Sequence, residues 1–389
     1  MTRLSATLIC VLLAATQLCS QTLPQSRDTV IRRLGEKLLR EKEGVGLSLG
    51  ILYRGETYYY NFGQAEKDGG EPLSQRSLYE IGSITKTFVG LLLARAVNEG
   101  RARMDDDIRK YFDQPFPGLE YNHHPVQLLH LANMTSGLPD NLPAPTQEMR
   151  NAPEDSVDVV RGRTIAKYTI DTLFKALATV KPDTIPGAVP RHSNVGAQLL
   201  AHIVEKIYGR PIDELIRDMI TQPLAMNNTR FPVPGNKPVT VQGHDGKGKP
   251  VRTIANLYYR GAGGMISCTE DLLKYLSFLM KQDDANTRLV MRKTILMDAV
   301  SNKVVGVYPE NRIDPTKYSA SINWYHYTPA KNKTRIWTDG GTSGFASYIV
   351  MYPEADLGVI LLSNKTGEKI FRSLPGTAAA ILDLFLGVE

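Results

Sequence analysis

Ser83 and Lys86 stand three positions apart in YEIGSITKTFVGLLLARAVNEG (79–100), at the head of a long apolar run. On a helix these positions share a face, so the lysine amine reaches the serine oxygen. A serine hydroxyl attacks a carbonyl only when a neighbouring base takes its proton, and a lysine taken out of water loses basicity toward the range where it is such a base. The backbone N–H groups of a helix start also suit a developing oxyanion. The placement is otherwise unfavourable, because a helix start disfavours a cation and a buried ammonium is costly. Ser83 is the only serine in the chain with a lysine three residues on, and a solvated helix start is the competing reading.

Two further stretches bring polar groups to short loops. PGAVPRHSNVGAQLLAHIVEKIYGRP (186–211) runs from a turn through His192-Ser193-Asn194 into an amphipathic pattern. Imidazole exchanges protons near neutral pH, which makes His192 a candidate acid–base group. The alternative is a loop histidine, with Ser193 or Asn194 capping the helix that follows. WTDGGTSGFASYIVMYPEADLGVILLSN (337–364) is a Gly-rich strand leading into a hairpin. Side chains alternate along a strand, so Thr338 and Asp339 point to opposite faces unless the strand bulges, and Asp339 faces either a cleft or solvent. The remaining histidines have no motif around them and read as solvated or core residues. There is no His-Glu-x-x-His, paired-cysteine, Gly-x-Gly-x-x-Gly or Gly-x-Ser-x-Gly pattern, so neither a metal nor a cofactor is expected.

In this order, the three segments resemble the serine β-lactamase and DD-peptidase superfamily, in its class C β-lactamase-like branch, which also holds D-aminopeptidases and esterases. Further stretches carry the resemblance along Val30 to Leu386: VQLLHLANMTSGLP, QPLAMNNTRF and AGGMISCTEDLLKYL. The resemblance implies an acyl-enzyme mechanism with Ser83 as nucleophile and Lys86 as its partner. It implies an oxyanion hole from the N–H groups of Ser83 and Gly341, and substrate contacts from Asn194, Thr338, Asp339, Gly340 and Thr342. The family's second motif is usually Tyr-x-Asn. Here the tyrosine position is His192 while Asn194 is retained, so the resemblance gives His192 the proton-transfer role. The third motif is usually Lys-Thr-Gly or His-x-Gly, and here it reads Thr338-Asp339-Gly340, without the cation. In penicillinases and D-Ala-D-Ala carboxypeptidases that cation helps hold the substrate carboxylate. A carboxylate at Asp339 repels such a group if it faces the cleft, and suits an amine instead. Met134 takes a place often held by histidine.

The elements that must position these residues follow from periodicity. Asp28 to Lys42 reads as an amphipathic helix with Val30, Leu34 and Leu38 on one face. Residues 46–63 read as two strands around an Arg54-Gly55-Glu56 turn, and FASYIVMY and LGVILLS as two more around Pro353 to Asp356. A last helix spans about Ile370 to Leu386. The middle reads as mostly helical, and SCTEDLLKYLSFL as a helix capped by Ser267 with Glu270 at its third position. The expected fold is α+β: an antiparallel sheet formed from both termini and flanked by helices, with an inserted helical subdomain and a cleft at the junction. The expected division is a signal peptide at 1–20 and one catalytic domain at 21–389. Its sheet part is about 21–80 plus 262–389, and its helical part about 81–261.

At 389 residues, 42% hydrophobic and 22% charged, the chain has the composition of a globular protein with a substantial core. The formal charge of +6 is spread out, with no basic block dense enough for nucleic acid. Met1-Thr2-Arg3, the apolar Leu8 to Ala15 and small residues at Cys19 and Ser20 have the layout of a secretory signal. Export to the periplasm or medium is therefore expected, with no transmembrane segment in the mature chain and a lipid anchor at Cys19 as the less favoured alternative. Removing that segment leaves Cys268 and no disulfide. The leading reading is an exported serine hydrolase acting on an amide or ester, either a D-amino-acid peptide of the cell wall or a small ester, so that its partner is a small-molecule or peptide substrate or peptidoglycan. A class C-type β-lactamase and a non-turnover penicillin- or peptidoglycan-binding protein are the alternatives.

Overall fold

The computed structural model describes residues 23–153, 160, 164, 167–233, 241–251, 260–296, 317–330 and 333–387. The expected signal segment and Cys19 lie outside them. Helix α1 (Gln25–Glu41) leads into β1 (Gly46–Tyr53), β2 (Glu56–Glu66) and β3 (Gly69–Pro72). From the C-terminal part come β4 (Ile295–Leu296), β5 (Tyr318–Ala320), β6 (Tyr325–Ala330), β7 (Lys333–Gly341), β8 (Ala346–Tyr352) and β9 (Leu357–Ser363). They form one antiparallel sheet in the order β4-β5-β6-β7-β8-β9-β1-β2-β3, closed between the two ends of the chain where Leu47 pairs Ser363 and Tyr53 pairs Leu357. The sheet from both termini is thus as expected. The helices of the middle include α2 (Thr85–Asn98), α3 (Asn194–Tyr208) and α4 (Thr269–Lys281), and α5 (Glu368–Leu386) ends the chain.

Both faces of the sheet are covered, which is why β9 reads as an unbroken apolar run. Leu357, Val359 and Leu361 pack in one core with Ile31 and Leu38 of α1 and Ile381 and Phe385 of α5. Ile360 and Leu362 point the other way, into a core with Phe88 and Leu92 of α2 and Leu272 and Leu276 of α4. Glycines let α4 lie close: a Cβ at Gly358 would stand 2.3 Å from Leu276 Cδ2, and one at Gly50 3.1 Å from Leu273 Cδ1. The β1–β2 turn is Arg54-Gly55, both at positive φ (51° and 82°). Glu56 is already strand, because a two-residue turn of this hand matches the twist of the flanking strands.

Two local expectations are corrected. The buried stripe of α1 is Ile31, Gly35 and Leu38, so Val30 lies beside it. Ser267 does not cap α4. It sits in a two-residue strand paired with Tyr79, and its buried hydroxyl shares a 2.7 Å hydrogen bond with Thr229. Cys268 is the N-cap residue without a side-chain bond, and Glu270 pairs with Arg76 instead. A serine whose oxygen is already engaged in the core is not free to cap. Cys268 is buried and unpaired, and burial pushes its thiol up to about 12, so it is chemically quiet.

Gly35 tests the seating of α1. In an exposed helix Gly→Ala gains about 1 kcal/mol. Here the added Cβ would stand 2.3 Å from the ring of Phe62, itself buried, and overpacking costs about 1–3 kcal/mol. Gly35→Ala is therefore expected to lower the urea midpoint. A raised midpoint would show that helix propensity outweighs the contact.

Candidate active site

Ser83 is delivered by a short strand, a turn and a helix. Tyr79–Glu80 pairs with Ile266–Ser267, and the Ile81 N–H donates to Met265 O at 3.1 Å. The chain then turns at Gly82 (φ 52°) through a 3₁₀ turn, Gly82–Ile84, into α2. This helix is buried nearly all round and tied from several sides. Asn323 Nδ2 donates to Lys86 O at 2.8 Å, Met265 N–H to Thr85 Oγ1 at 3.2 Å and Thr87 Oγ1 to Ile84 O at 2.8 Å.

Lys86 is 3% exposed, and its amine touches three oxygens: Ser83 Oγ at 2.7 Å, Ala262 O at 2.7 Å and Asn194 Oδ1 at 3.0 Å. Burial brings its pKa down to about 7, against the carboxylates of Asp140 and Asp339, which pull it back up. The partners decide what the neutral amine does. Ala262 O and Asn194 Oδ1 only accept, so they take its two N–H groups. The lone pair is left facing Ser83 Oγ, the one partner with a proton to give.

His192 and Asn194 flank Ser193, which caps α3: its Oγ accepts from Gly196 N–H at 3.0 Å and donates to Pro139 O at 2.8 Å. The cap thus belongs to Ser193, leaving both neighbours free for the cleft. His192 Nδ1 meets Asp140 Oδ1 at 2.5 Å. Burial works to raise the Asp140 carboxyl, and the His192 hydrogen bond and charge outweigh it, holding the group below its ordinary value. Asn194 Nδ2 donates to Asn141 Oδ1 at 3.1 Å, which fixes its oxygen toward Lys86. Asp140, Asn141 and Ala262 were missed in the sequence. The first two directly follow the quoted TSGLP, and the third acts through a backbone carbonyl that no side-chain pattern reveals.

The third segment meets Ser83 backbone to backbone. A Cβ at Gly340 would stand 2.1 Å from Ile81 O and 2.8 Å from Ser83 N, and one at Gly82 would stand 2.6 Å from Gly341 N. Only glycines allow this approach, and it sets the peptide edges of Ser83 and Gly341 side by side. Ser347 Oγ secures it, 2.9 Å from Ile81 O and 3.0 Å from Gly340 O.

The β7–β8 ladder is regular here, with Thr338 opposite Ile349 and Asp339 opposite Tyr348, so the two side chains take opposite faces. Thr338 is buried at 5%. Asp339 is half-buried, and burial raises its carboxyl to about 6 against the charges of His192 and Lys86. It therefore lies in the same field as the Ser83 partner. Thr342 belongs to the hairpin turn, its Oγ1 accepting from Gly344 N–H at 3.4 Å.

The other histidines include solvated and core residues: His123 and His124 are exposed, His202 stacks on Phe112, and burial lowers the pKa of His326 to about 3. Met134 (φ 60°) is buried, accepts a 3.4 Å contact from the Tyr325 hydroxyl through its sulfur and holds Arg191 N–H on its carbonyl. Among the described residues, no group of acids, histidines and cysteines could hold a metal, and no helix is long and apolar enough to cross a membrane.

A model of the Beta-lactamase family matches residues 30–382. The chain is 27% identical over 358 residues to a β-lactamase of Pseudomonas fluorescens, covering 85% of this chain and 91% of that one. It is 22% identical over 368 residues to the D-alanyl-D-alanine-carboxypeptidase/endopeptidase AmpH of Escherichia coli (strain K12), covering 91% and 88%. Its fold is similar to that of a β-lactamase/D-alanine carboxypeptidase from Yersinia pestis, with TM-score 0.75 and 21% identity over 92% of this chain and 98% of that one.

The burial of Lys86 has a measurable signature. Its lowered folded pKa means that the unfolded chain alone carries the extra proton between about 7 and 10.5. Wild-type stability should therefore rise with pH across that window. In Lys86→Met this contribution is gone, so the melting temperature of wild type minus variant is expected to climb from pH 7 to 10. A flat difference would mean that the amine keeps its full charge in the fold.

Proposed function

Because the chain belongs to the Beta-lactamase family and is a serine hydrolase of that family, we propose that it is exported and cleaves an amide or ester through an acyl-enzyme on Ser83. The observation that carries this reading is the Lys86 amine, with two acceptors on its N–H groups and its third contact on Ser83 Oγ. Lys86 takes the serine proton as the hydroxyl attacks the scissile carbonyl. The adjoining N–H groups of Ser83 and Gly341 receive the carbonyl oxygen as it gains charge. Asn194, Thr338, Asp339, Gly340 and Thr342 form the substrate edge of the cleft.

His192 passes a proton to the leaving group. Its hydrogen bond to Asp140 engages Nδ1 and leaves Nε2 for that exchange, with the carboxylate orienting the ring. This arrangement substitutes a paired imidazole for the phenol that the resemblance leads one to expect. It favours turnover over simple binding, because it supplies both a base for attack and an acid for departure.

Ser83→Ala is expected to lose labelling by a fluorophosphonate probe and turnover of p-nitrophenyl esters. Labelling that persists would remove Ser83 as nucleophile. The leaving-group role of His192 predicts an unequal loss in His192→Phe. Turnover of an amide, whose amine must be protonated to depart, falls by about 10²–10⁴, whereas a p-nitrophenyl ester, whose phenolate departs unaided, loses only a few-fold. Equal losses on both would assign His192 to holding the loop.

A further inference from the structure

We propose that the cleft selects substrates carrying an ammonium group next to the scissile bond, held by the Asp339 carboxylate. This rests on the hydrolase reading above and names its substrate class. Asp339 is the residue before Gly340, whose backbone abuts Ser83 N, and its side chain takes the face of Tyr348 and Tyr325, where the Tyr325 hydroxyl reaches Met134 and the Met134 carbonyl holds Arg191 N–H next to His192. It is half-buried, yet among the described residues it has no hydrogen bond and no ion pair. Other carboxylates are matched: Asp107 by Arg109, Asp183 by Arg191 and Asp140 by His192.

The charged groups whose fields reach Asp339 are His192 and Lys86, and the buried hydroxyls of Tyr325 and Tyr348 feel it from the sheet. Lys86 is committed to its three oxygens and His192 to Asp140. No arginine or further lysine is placed to offset Asp339 among the described residues. A substrate carboxylate arriving there would face an unbalanced negative charge in a partly dry cleft. An ammonium would supply the donors that this carboxylate lacks. The missing cation of the third motif and the unmatched anion beside it act in the same direction.

The test compares matched substrates that differ only in charge. On the acyl side the pair is D-alanine p-nitroanilide and its N-acetyl form, and on the leaving-group side acetylthiocholine and its uncharged carbon isostere. In wild type, kcat/KM is expected to favour the cation by about tenfold in at least one pair, carried by KM. In Asp339→Asn the ratio in that pair should fall below about twofold. A ratio near one in both wild-type pairs, or one undiminished in the variant, overturns the proposal.

A ratio cancels groups that act on both substrates alike, Lys86 and His192 included. For the quaternary pair the preference should be near full one unit or more above pH 6, about half of that at pH 6 and fade below it, since the Asp339 pKa is raised to about 6 and only the ionised carboxylate holds the cation. Should Asp339→Asn turn over neither substrate, this wild-type profile decides, and a ratio independent of pH overturns the proposal. The two readings fail separately. Uncharged thioester turnover that survives in Ser83→Ala removes the nucleophile, whereas Ser83-dependent turnover without charge preference removes only the role of Asp339.

Discussion

The site depends on one costly burial, that of Lys86. Moving an ammonium out of water is among the least favourable steps a fold takes, and it is tolerated only when the group is fully bonded or gives up its charge. This fold does both in part. Two fixed acceptors, a backbone carbonyl from the loop before Met265 and the amide oxygen of Asn194, take N–H groups, and the pKa falls to about 7. The result is an amine near its point of neutrality whose free valence faces Ser83. Neither acceptor lies near Lys86 in sequence, so the chemistry exists only once α3 and the 260–265 loop have closed on α2.

The second constraint is the contact of Gly82 with Gly340 and Gly341. The Ser83 turn belongs to the middle of the chain and β7 to its far end. They touch without any side chain between them, so the Ser83 turn and the strand edge are held in direct backbone contact. The sheet must be complete for this to hold, since β7 is fixed by β8, β8 by β9, and β9 by pairing with β1 from the opposite end of the chain. The placement of Ser83 against β7 is thus tied to the closure of the whole sheet.

What could be read from the sequence followed how local each signal was. Ser83, Lys86 and the β8–β9 hairpin lie in short segments whose spacing or alternation carries the meaning, and the sheet from both termini followed from strands at the two ends. The Ser267 cap failed because a capping pattern describes only local options, and Thr229, distant in sequence, had already engaged that hydroxyl. In α1 the expected Leu38 is buried and Leu34 packs against the same core, but Ile31 and Gly35 are buried in place of Val30, and the contact of Gly35 with Phe62 is one that apolar periodicity does not register. In the site, Ala262 and Asp140 were invisible for the same reason. One acts through its carbonyl, and the other matters only because α3 brings His192 to it.

The charge layout around Lys86 links its basicity to the substrate edge. Burial alone pushes the amine toward neutrality, while Asp140 and Asp339 push it back toward the charged form. A cation on this strand, which the resemblance leads one to expect, would add to the effect of burial and weaken the base further. A carboxylate does the opposite. The loss of a cation at the Thr338 position together with the carboxylate at Asp339 therefore does more than alter what the strand edge attracts, because it also raises the proton affinity of the Lys86 amine. The strand edge and the amine beside Ser83 are thus coupled through the field of a single residue next to Gly340.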